Sequence, residues 1–486
     1  MLKKIDLGKN NNKTVIPGVR IADADFPAPF RSGLEYSSPA RGTWNIVHTG
    51  MLIPEAHEIF VCAAGCLRGV VLTAAEMGAS DRFSTVAVRE NNLLDGDMED
   101  LVVDGVTDII NKLPARPPAV LVYTSCVHHF TGVDLDMIYE RLRERFPDID
   151  FTDCYMNPIM RKSGLTPDQL MRSRLYTLLK KRPADRSAAA IVGNDLPTRK
   201  DSDLIKLLEG AGLKVHEITS CRSYEEYQEM AESAVFISNY PDAVTGADML
   251  AERLGAVHCH LPYSFDYDEI DEGFRQLADL LAANCETAES DSGLRPLLGS
   301  LLEEIRSGGR EACGRAYEET LKLIGDTPLA IDYTYCPRPL GLARALLDHG
   351  FNVQRVYLDG IPAADKKDFE YLRNNYPELM LHPTVHTAMR FAQTATEQGA
   401  ALISSGSQQS SAASDIEDAP LVLAIGQKAA HFENTDHFVN LVEGGGMNGY
   451  EAVTGTLGLM REAFLHSKPM RELIQVKGLG CEVCVR

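Results

Sequence analysis

The chain of 486 residues contains no apolar run of about 18 residues, the length a helix needs to cross a bilayer, so no membrane partner is expected. It is also short of positive charge. Lys and Arg total 48 against 69 Asp and Glu, a formal net charge of −21. That balance argues against a nucleic-acid partner, because binding a phosphate backbone requires cations that displace counterions. It suits a soluble protein or a partner with a basic docking face. The N-terminus Met-Leu-Lys-Lys-Ile-Asp-Leu-Gly-Lys has basic residues with no apolar core behind them, which argues against a signal peptide and for a cytoplasmic protein. No Walker A sequence occurs, so any ATP hydrolysis has to come from a partner protein. Asp195–Arg199 follows a strand-like segment but lacks the G-x-G-x-x-G pattern, and no nucleotide is implied there.

What is present is an ordinary globular composition, 44% hydrophobic and 24% charged. At about 150 residues per domain the length predicts roughly three domains. The pattern alternates strands and helices and restarts twice. We expect an α/β protein of three Rossmann-like, doubly wound domains with parallel sheets around a central cavity. Residues 1–35 read as an N-terminal arm, 36–185 as the first domain, 186–325 as the second and 326–430 as the third. Residues 431–486 read as a C-terminal helix and tail returning to the first domain. Three connector helices are expected over Asp271–Ala283, Leu297–Ser307 and Cys313–Ile324. A helix over Val385–Glu397, a strand over Ala401–Ile403 and a Ser/Gln/Ala-rich loop over Ser404–Asp418 complete the third domain.

Eleven cysteines in such a chain argue for reduced, metal-bound or buried thiols rather than a disulfide scaffold. The most informative stretch is Glu58-Ile-Phe-Val-Cys-Ala-Ala-Gly-Cys-Leu-Arg-Gly-Val-Val-Leu-Thr73, with Cys62 and Cys66 one helical turn apart before an apolar run that reads as a helix. Alone, such a pair is as common among small buried core residues as among metal ligands. A third thiol strengthens it. Leu121-Val-Tyr-Thr-Ser-Cys126 is a β-branched and aromatic run ending in cysteine, which is how a parallel strand delivers a ligand at its carboxyl end. Together Cys62, Cys66 and Cys126 point to a metal cluster.

These residues carry a resemblance. The chain resembles component 1 of nitrogenase and its relatives, among them the dark-operative protochlorophyllide reductase and the nickel-tetrapyrrole reductive cyclase. Phe60-Val-Cys-Ala-Ala-Gly-Cys66 resembles the family's Ile-His-Gly-Pro-x-Gly-Cys and places Cys66 on a cluster cysteine. Thr124-Ser-Cys126-Val-His-His-Phe-Thr-Gly132-Val-Asp134 resembles the family's Thr-Cys followed by Gly-Asp-Asp and places Cys126 on a second. Glu90-Asn-Asn-Leu-Leu-Asp-Gly96 and the Gly-rich Gly444-Gly-Gly-Met-Asn-Gly-Tyr450 before the last helix match two further stretches. The resemblance implies an iron–sulfur cluster, [4Fe-4S] or larger, at a subunit interface of the first domain. It also implies electrons delivered by an ATP-dependent iron protein, and a homodimer or a heterotetramer with a related subunit. A second metal centre or a tetrapyrrole in the cavity would receive the electrons.

The departures are specific. The family's first cluster cysteine has no counterpart in Pro39–Gly50, and Cys62 is its natural substitute. The positions matching the cysteine and histidine that anchor the nitrogenase cofactor fall near Asn239-Tyr240 and at Val439, neither a fitting ligand, so nitrogen reduction is not expected. The resulting expectation is a nitrogenase-like oxidoreductase subunit, with a scaffold for assembling a complex metallocluster as the alternative.

Other candidates are weaker. Cys481-Glu-Val-Cys484 has metal or redox spacing near the end of the chain. Cys221, and Cys336 with Arg338, follow strands and are candidates to line the cavity, the Arg as an anion-holding group. His128 and His129 adjoin Cys126 and are equally suited to a hydrogen bond onto a cluster sulfur or to capping the following helix. Cys154 is a candidate for the surroundings of the cluster, and Cys259, Cys285 and Cys313 read as core.

Overall fold

The computed structural model describes residues 17–31, 33, 35, 38, 46–157, 165–286, 293–391 and 421–474. It divides into two compact units. One comprises 44–263 with 268–307; the other comprises 1–43, 264–267 and 308–486.

The arm opens with a short strand, β1 (Val19–Arg20). The first of the two units then holds two four-stranded parallel sheets. In the first sheet, β2 (His57–Ala63), β3 (Phe83–Val88), β4 (Ala119–Ser125) and β5 (Asp150–Met156) lie in the order β3-β2-β4-β5. In the second, β6 (Asp185–Ile191), β7 (Lys214–Glu217), β8 (Ser233–Ser238) and β9 (Val257–His260) lie in the order β7-β6-β8-β9. These strands are near-continuous apolar runs because helices cover both faces of a parallel sheet. Along β2, Ile59 and Val61 enter one core with Val102 and Val122, while Phe60 and Cys62 enter the other with Leu121 and Tyr123.

The other unit holds β10 (Leu329–Asp332), β11 (Val353–Tyr357), β12 (Met380–His382), β13 (Leu423–Ile425) and β14 (Phe438–Val439). Their order is β12-β11-β10-β13-β14, all parallel, with β1 added antiparallel beside β12. The arm thus contributes a strand and the fully buried Ile21 rather than only a surface wrap. All three sheets step to one side after their first strand and then return to the other. Each therefore has a topological switch point, between β2 and β4, β6 and β8, and β10 and β13. The carboxyl ends at such points are where open α/β sheets hold ligands.

Three details depart from the sequence reading. Helices expected as Leu297–Ser307 and Cys313–Ile324 form one 31-residue helix, Leu294–Ile324. Gly308 and Gly309 fall between the two expected helices, and Gly309 lies where a Cβ would come 2.5 Å from the Tyr450 ring, so the glycine serves close packing. The last long helix, Tyr450–Leu465, packs on β13 and β14 within the unit of the third sheet, whereas the sequence returned it to the first domain. Its buried Val453, Leu457 and Met460 are spaced to cover a sheet. In the third domain, Thr387–Phe391 is a 3₁₀ helix where a longer helix was expected, and Ala401–Ile403 and Ser404–Asp418 lie outside the described residues.

Candidate metal centre at the first switch point

Cys62, Cys66 and Cys126 come from adjacent strands of the first sheet. Cys62 is the penultimate residue of β2 and Cys66 lies in the first turn of the helix that follows, Ala64–Glu76. The two are therefore not one turn apart on a single helix. The Ile59-Phe-Val61 run is β-branched and aromatic, pairs with both β3 and β4, and carries the strand through to Ala63. Cys126 opens the helix Cys126–Thr131 directly after β4. All three thus stand at the switch point between β2 and β4.

Their environments differ. Cys62 is buried in the core face beside Phe60, whose ring stacks on Tyr123 at 3.9 Å and 5°. Cys126 is half-buried and Cys66 exposed. Burial first, and then the neighbouring sulfurs of Cys66 and Cys126, push the Cys62 thiol up to about 12. A metal centre would take the place of the thiol proton, since a coordinating thiol is deprotonated outright. Among the described residues, no three His, Cys, Asp or Glu side chains are gathered closely enough to hold a single metal ion. A polynuclear cluster is wider than one ion and takes its ligands from further apart. Soft sulfur donors beside the N-terminus of a 13-residue helix fit an anionic iron–sulfur cluster in kind.

His128 resolves toward capping. The Ser125 N–H donates to its Nδ1 at 3.1 Å, closing a capping box on the helix Cys126–Thr131. A backbone amide only donates, so the neutral ring carries its proton on Nε2. Burial holds the ring's pKa below the ordinary value, and Nε2 is buried with no hydrogen-bond partner among the described residues. It is a donor without an acceptor two residues from Cys126. His129 is exposed and packs at 6.2 Å from Phe130.

The remaining candidates separate from this site. Arg338 is buried, donating from Nε to Asp365 at 3.2 Å and from Nη2 to Asp368 at 2.6 Å. Its guanidinium is held by carboxylates rather than presented to an anion, as the sequence had suggested. Cys336 is fully buried, and burial pushes its thiol up. Cys221 is half-buried with its thiol against the Glu217 carbonyl at 3.3 Å, and burial pushes it to about 12. Cys154 faces Tyr123 across β4 and β5 and is fully buried; Cys259, Cys285 and Cys313 are buried core thiols. Cys481 and Cys484 lie outside the described residues.

Two features escaped the sequence. Glu58, on the same face of β2 as Phe60 and Cys62, is fully buried and accepts from the Tyr123 hydroxyl at 3.3 Å. Burial raises its carboxyl well above the ordinary range, and its Oε2 has no hydrogen-bond partner among the described residues. A charged residue inside an apolar strand run was the available signal. The second is the buried pair of Arg172 and Asp195, joining the helix Pro167–Leu175 to the loop after β6.

A family profile described as nitrogenase component 1 type oxidoreductase matches residues 47–425. The chain belongs to this family. No curated protein matches it. Among solved structures it is similar to nitrogenase Cp1 at pH 6.5, with a TM-score of 0.61 and 13% identity over 90% of this chain and 94% of that one. Nitrogenase Cp1 at pH 5 gives a TM-score of 0.53 at 13% identity over 90% of each chain. At such identity the likeness is one of fold. It agrees with the parallel α/β sheets described above, and the family membership makes this chain a nitrogenase-like subunit of oxidoreductase type. Among the described residues, no helix is long and apolar enough to cross a membrane.

Proposed function

We propose that this nitrogenase-like subunit receives low-potential electrons from an ATP-hydrolysing iron protein through an iron–sulfur cluster held by Cys62, Cys66 and Cys126. It passes them on to a substrate or a second metal centre. The observation that carries the reading is the arrival of three thiols, from β2 and β4 and the helices behind them, at one switch point. Such a cluster supplies one-electron transfer, with a potential set by ligands, hydrogen bonds and burial. The chain's own residues do the rest. The three sulfurs hold the cluster, the helix N-terminus behind Cys66 favours its negative charge, and the unpartnered Nε2–H of His128 offers a hydrogen bond to a sulfur.

One chain offers one sulfur fewer than the four of a cubane. A second copy or a related subunit completes the set, and the surface supports this. Val71, Leu72 and Phe130, on the helices that follow β2 and β4, and Leu94, on the helix Glu90–Asp95 that follows β3, are exposed, Leu94 at 85% and Phe130 at 67%. Large exposed apolar side chains beside a functional site mark an interaction surface. A homodimer or a heterotetramer covers them.

The second reading, a scaffold on which a complex metallocluster is assembled, has its own support. Asn239 follows β8 and Val439 is buried within β14, so neither position that anchors the nitrogenase cofactor supplies a metal ligand. Anaerobic purification with iron and sulfide analysis decides whether the centre exists. Oxidation of the reduced iron protein on mixing then separates the two readings, since a reductase subunit takes its electrons with ATP turnover and a scaffold does not.

A further inference from the structure

Glu58 stands on β2 four residues before Cys62, at 1% exposure, and takes no part in holding metal. The helix Ile46–Met51 closes over it and packs on β2, on the helix Ala64–Glu76 and on the helix Pro167–Leu175. A Cβ at Gly50 would collide with both Glu58 Oε1 and the Tyr123 hydroxyl, so glycine lets this helix sit directly on the carboxyl. The same hydroxyl ties the helix down by donating to the Ile46 carbonyl at 3.0 Å.

Hydrogen bonding fixes the charge of the buried carboxyl. The Tyr123 hydroxyl has one proton, divided between the Ile46 carbonyl and Glu58 Oε1 at 3.3 Å, with the Met171 sulfur also at 3.3 Å. Glu58 Oε2 has no partner among the described residues. Arg82, the cation that acts on the group, directs Nε and Nη2 to the carbonyls of Ala56, Met51 and Ile53 instead. A carboxylate in this place is uncompensated. A neutral acid is not, because its own O–H can donate to the Tyr123 oxygen.

We propose that Glu58 is a pH-sensitive latch, a neutral carboxylic acid under the closed helix Ile46–Met51 whose ionisation on contact with water holds that helix open. On opening, the carboxyl gives its proton to water and becomes a hydrated carboxylate; closing takes a proton back from water. Exposed, the group has an ordinary pKa of about 4.3, whereas burial holds the closed one well above that range. The closed helix is therefore most stable below about pH 4.3. Above it, the open population grows about tenfold per pH unit until the pKa of the closed form is reached. The titratable groups facing Glu58 are Tyr123 on β4, Cys154 on β5 and Arg82 just before β3. The helix Pro167–Leu175 presents only the Met171 thioether to the shared hydroxyl. His48, on the closing helix, is two residues from Gly50 and so turned roughly 160° away from it. Opening uncovers the face of β2 that carries Phe60 and Cys62. That use of the latch, though not the latch itself, rests on the function proposed above.

The test is amide hydrogen exchange, read by mass spectrometry on the full chain between about pH 6 and 8, where exchange tracks the open population. After correction for the intrinsic pH dependence, amides of residues 46–51 should gain about tenfold per pH unit. Glu58→Gln keeps the shape, cannot ionise and should lose this excess. The helix Met98–Lys112, on the other face of the sheet, should show none in either protein. The infrared carbonyl stretch of a neutral carboxyl should be present in the unaltered chain and missing from the variant. An excess that is absent from the unaltered chain, or equal in Glu58→Gln, overturns the latch. So does an equal excess in Met98–Lys112, which marks global unfolding, or an infrared band that does not change. Should Glu58→Gln not fold, Glu58→Met, similar in size and without an acid, takes its place. Both proteins are compared in the same iron state, so failure of the latch and failure of the metal centre are read separately.

Discussion

Asp195→Ala tests the buried joint between the first and second sheets. Asp195 accepts from Arg172 Nη2 at 2.5 Å and from Nη1 at 3.2 Å, with both side chains at 1% exposure or less. Arg172 also donates to the Gly193 carbonyl at 2.5 Å and to Asp168 at 3.0 Å, and it lies 4.5 Å over the Tyr240 ring. Deleting the carboxylate leaves a desolvated guanidinium with only the partly exposed Asp168 as counter-charge. Breaking a buried pair in this way costs about 3–5 kcal/mol. For a folding unit of roughly 150–250 residues each kcal/mol moves the melting temperature about 2–4 °C, so the expected loss is roughly 6–20 °C. Arg172→Lys loses most of this too, because an ammonium cannot reproduce the two-pronged contact. The double variant Arg172→Leu/Asp195→Leu, which removes both charges, recovers part of the loss. Calorimetry on the four proteins measures it. A drop below about 2 °C in Asp195→Ala, or a double variant less stable than either single one, refutes the argument.

Other outcomes follow from single positions. Gly309→Ala drives a Cβ into the Tyr450 ring and costs about 1–3 kcal/mol by overpacking. Gly308→Ala, with open space at its Cβ, gains up to about 1 kcal/mol of helix propensity, and urea midpoints of the two variants should move in opposite directions. Burial, with Arg82 nearby, lowers the pKa of His57 to about 4, and burial with Lys428 and Arg471 lowers His431 to about 4. Both rings are neutral in the folded chain, while the unfolded chain binds a proton at each near pH 6.5. Their contribution is complete above pH 6.5 and is lost as pH falls toward 4. Stability should therefore decline with acidification at up to about 1.4 kcal/mol per pH unit for each ring, and His57→Gln should flatten the slope by one ring's share. Cys336→Ala and Cys154→Ala should leave iron content unchanged, since neither thiol stands at the switch point between β2 and β4: Cys154 lies within β5 and Cys336 follows β10.

The sheets were legible because β-branched and aromatic runs between helical segments leave few alternatives. The sequence reads as strands over Ser84–Val88 and Ala119–Thr124, and the structure has them at Phe83–Val88 and Ala119–Ser125. Position along the chain was legible; partnership across it was not. Nothing near Arg338 in sequence announces Asp365 and Asp368, which take up its guanidinium. His128 could not be assigned between capping and cluster because the decision lies in whether the Ser125 amide points at Nδ1. Cys62 and Cys66 were read on one turn, since a four-residue spacing does not reveal that a strand ends and a helix begins between them.

The central claim is that sulfur from Cys62, Cys66 and Cys126 binds an iron–sulfur cluster. Iron and acid-labile sulfide analysis of anaerobically purified protein, with electron paramagnetic resonance of the reduced state, tests it directly against Cys62→Ser, Cys66→Ser and Cys126→Ser. The account predicts iron and sulfide in the unaltered chain, a reduced-cluster signal, and loss or marked change of both in each variant. Colourless, iron-free protein, or variants that keep the full iron content and the same signal, contradicts it.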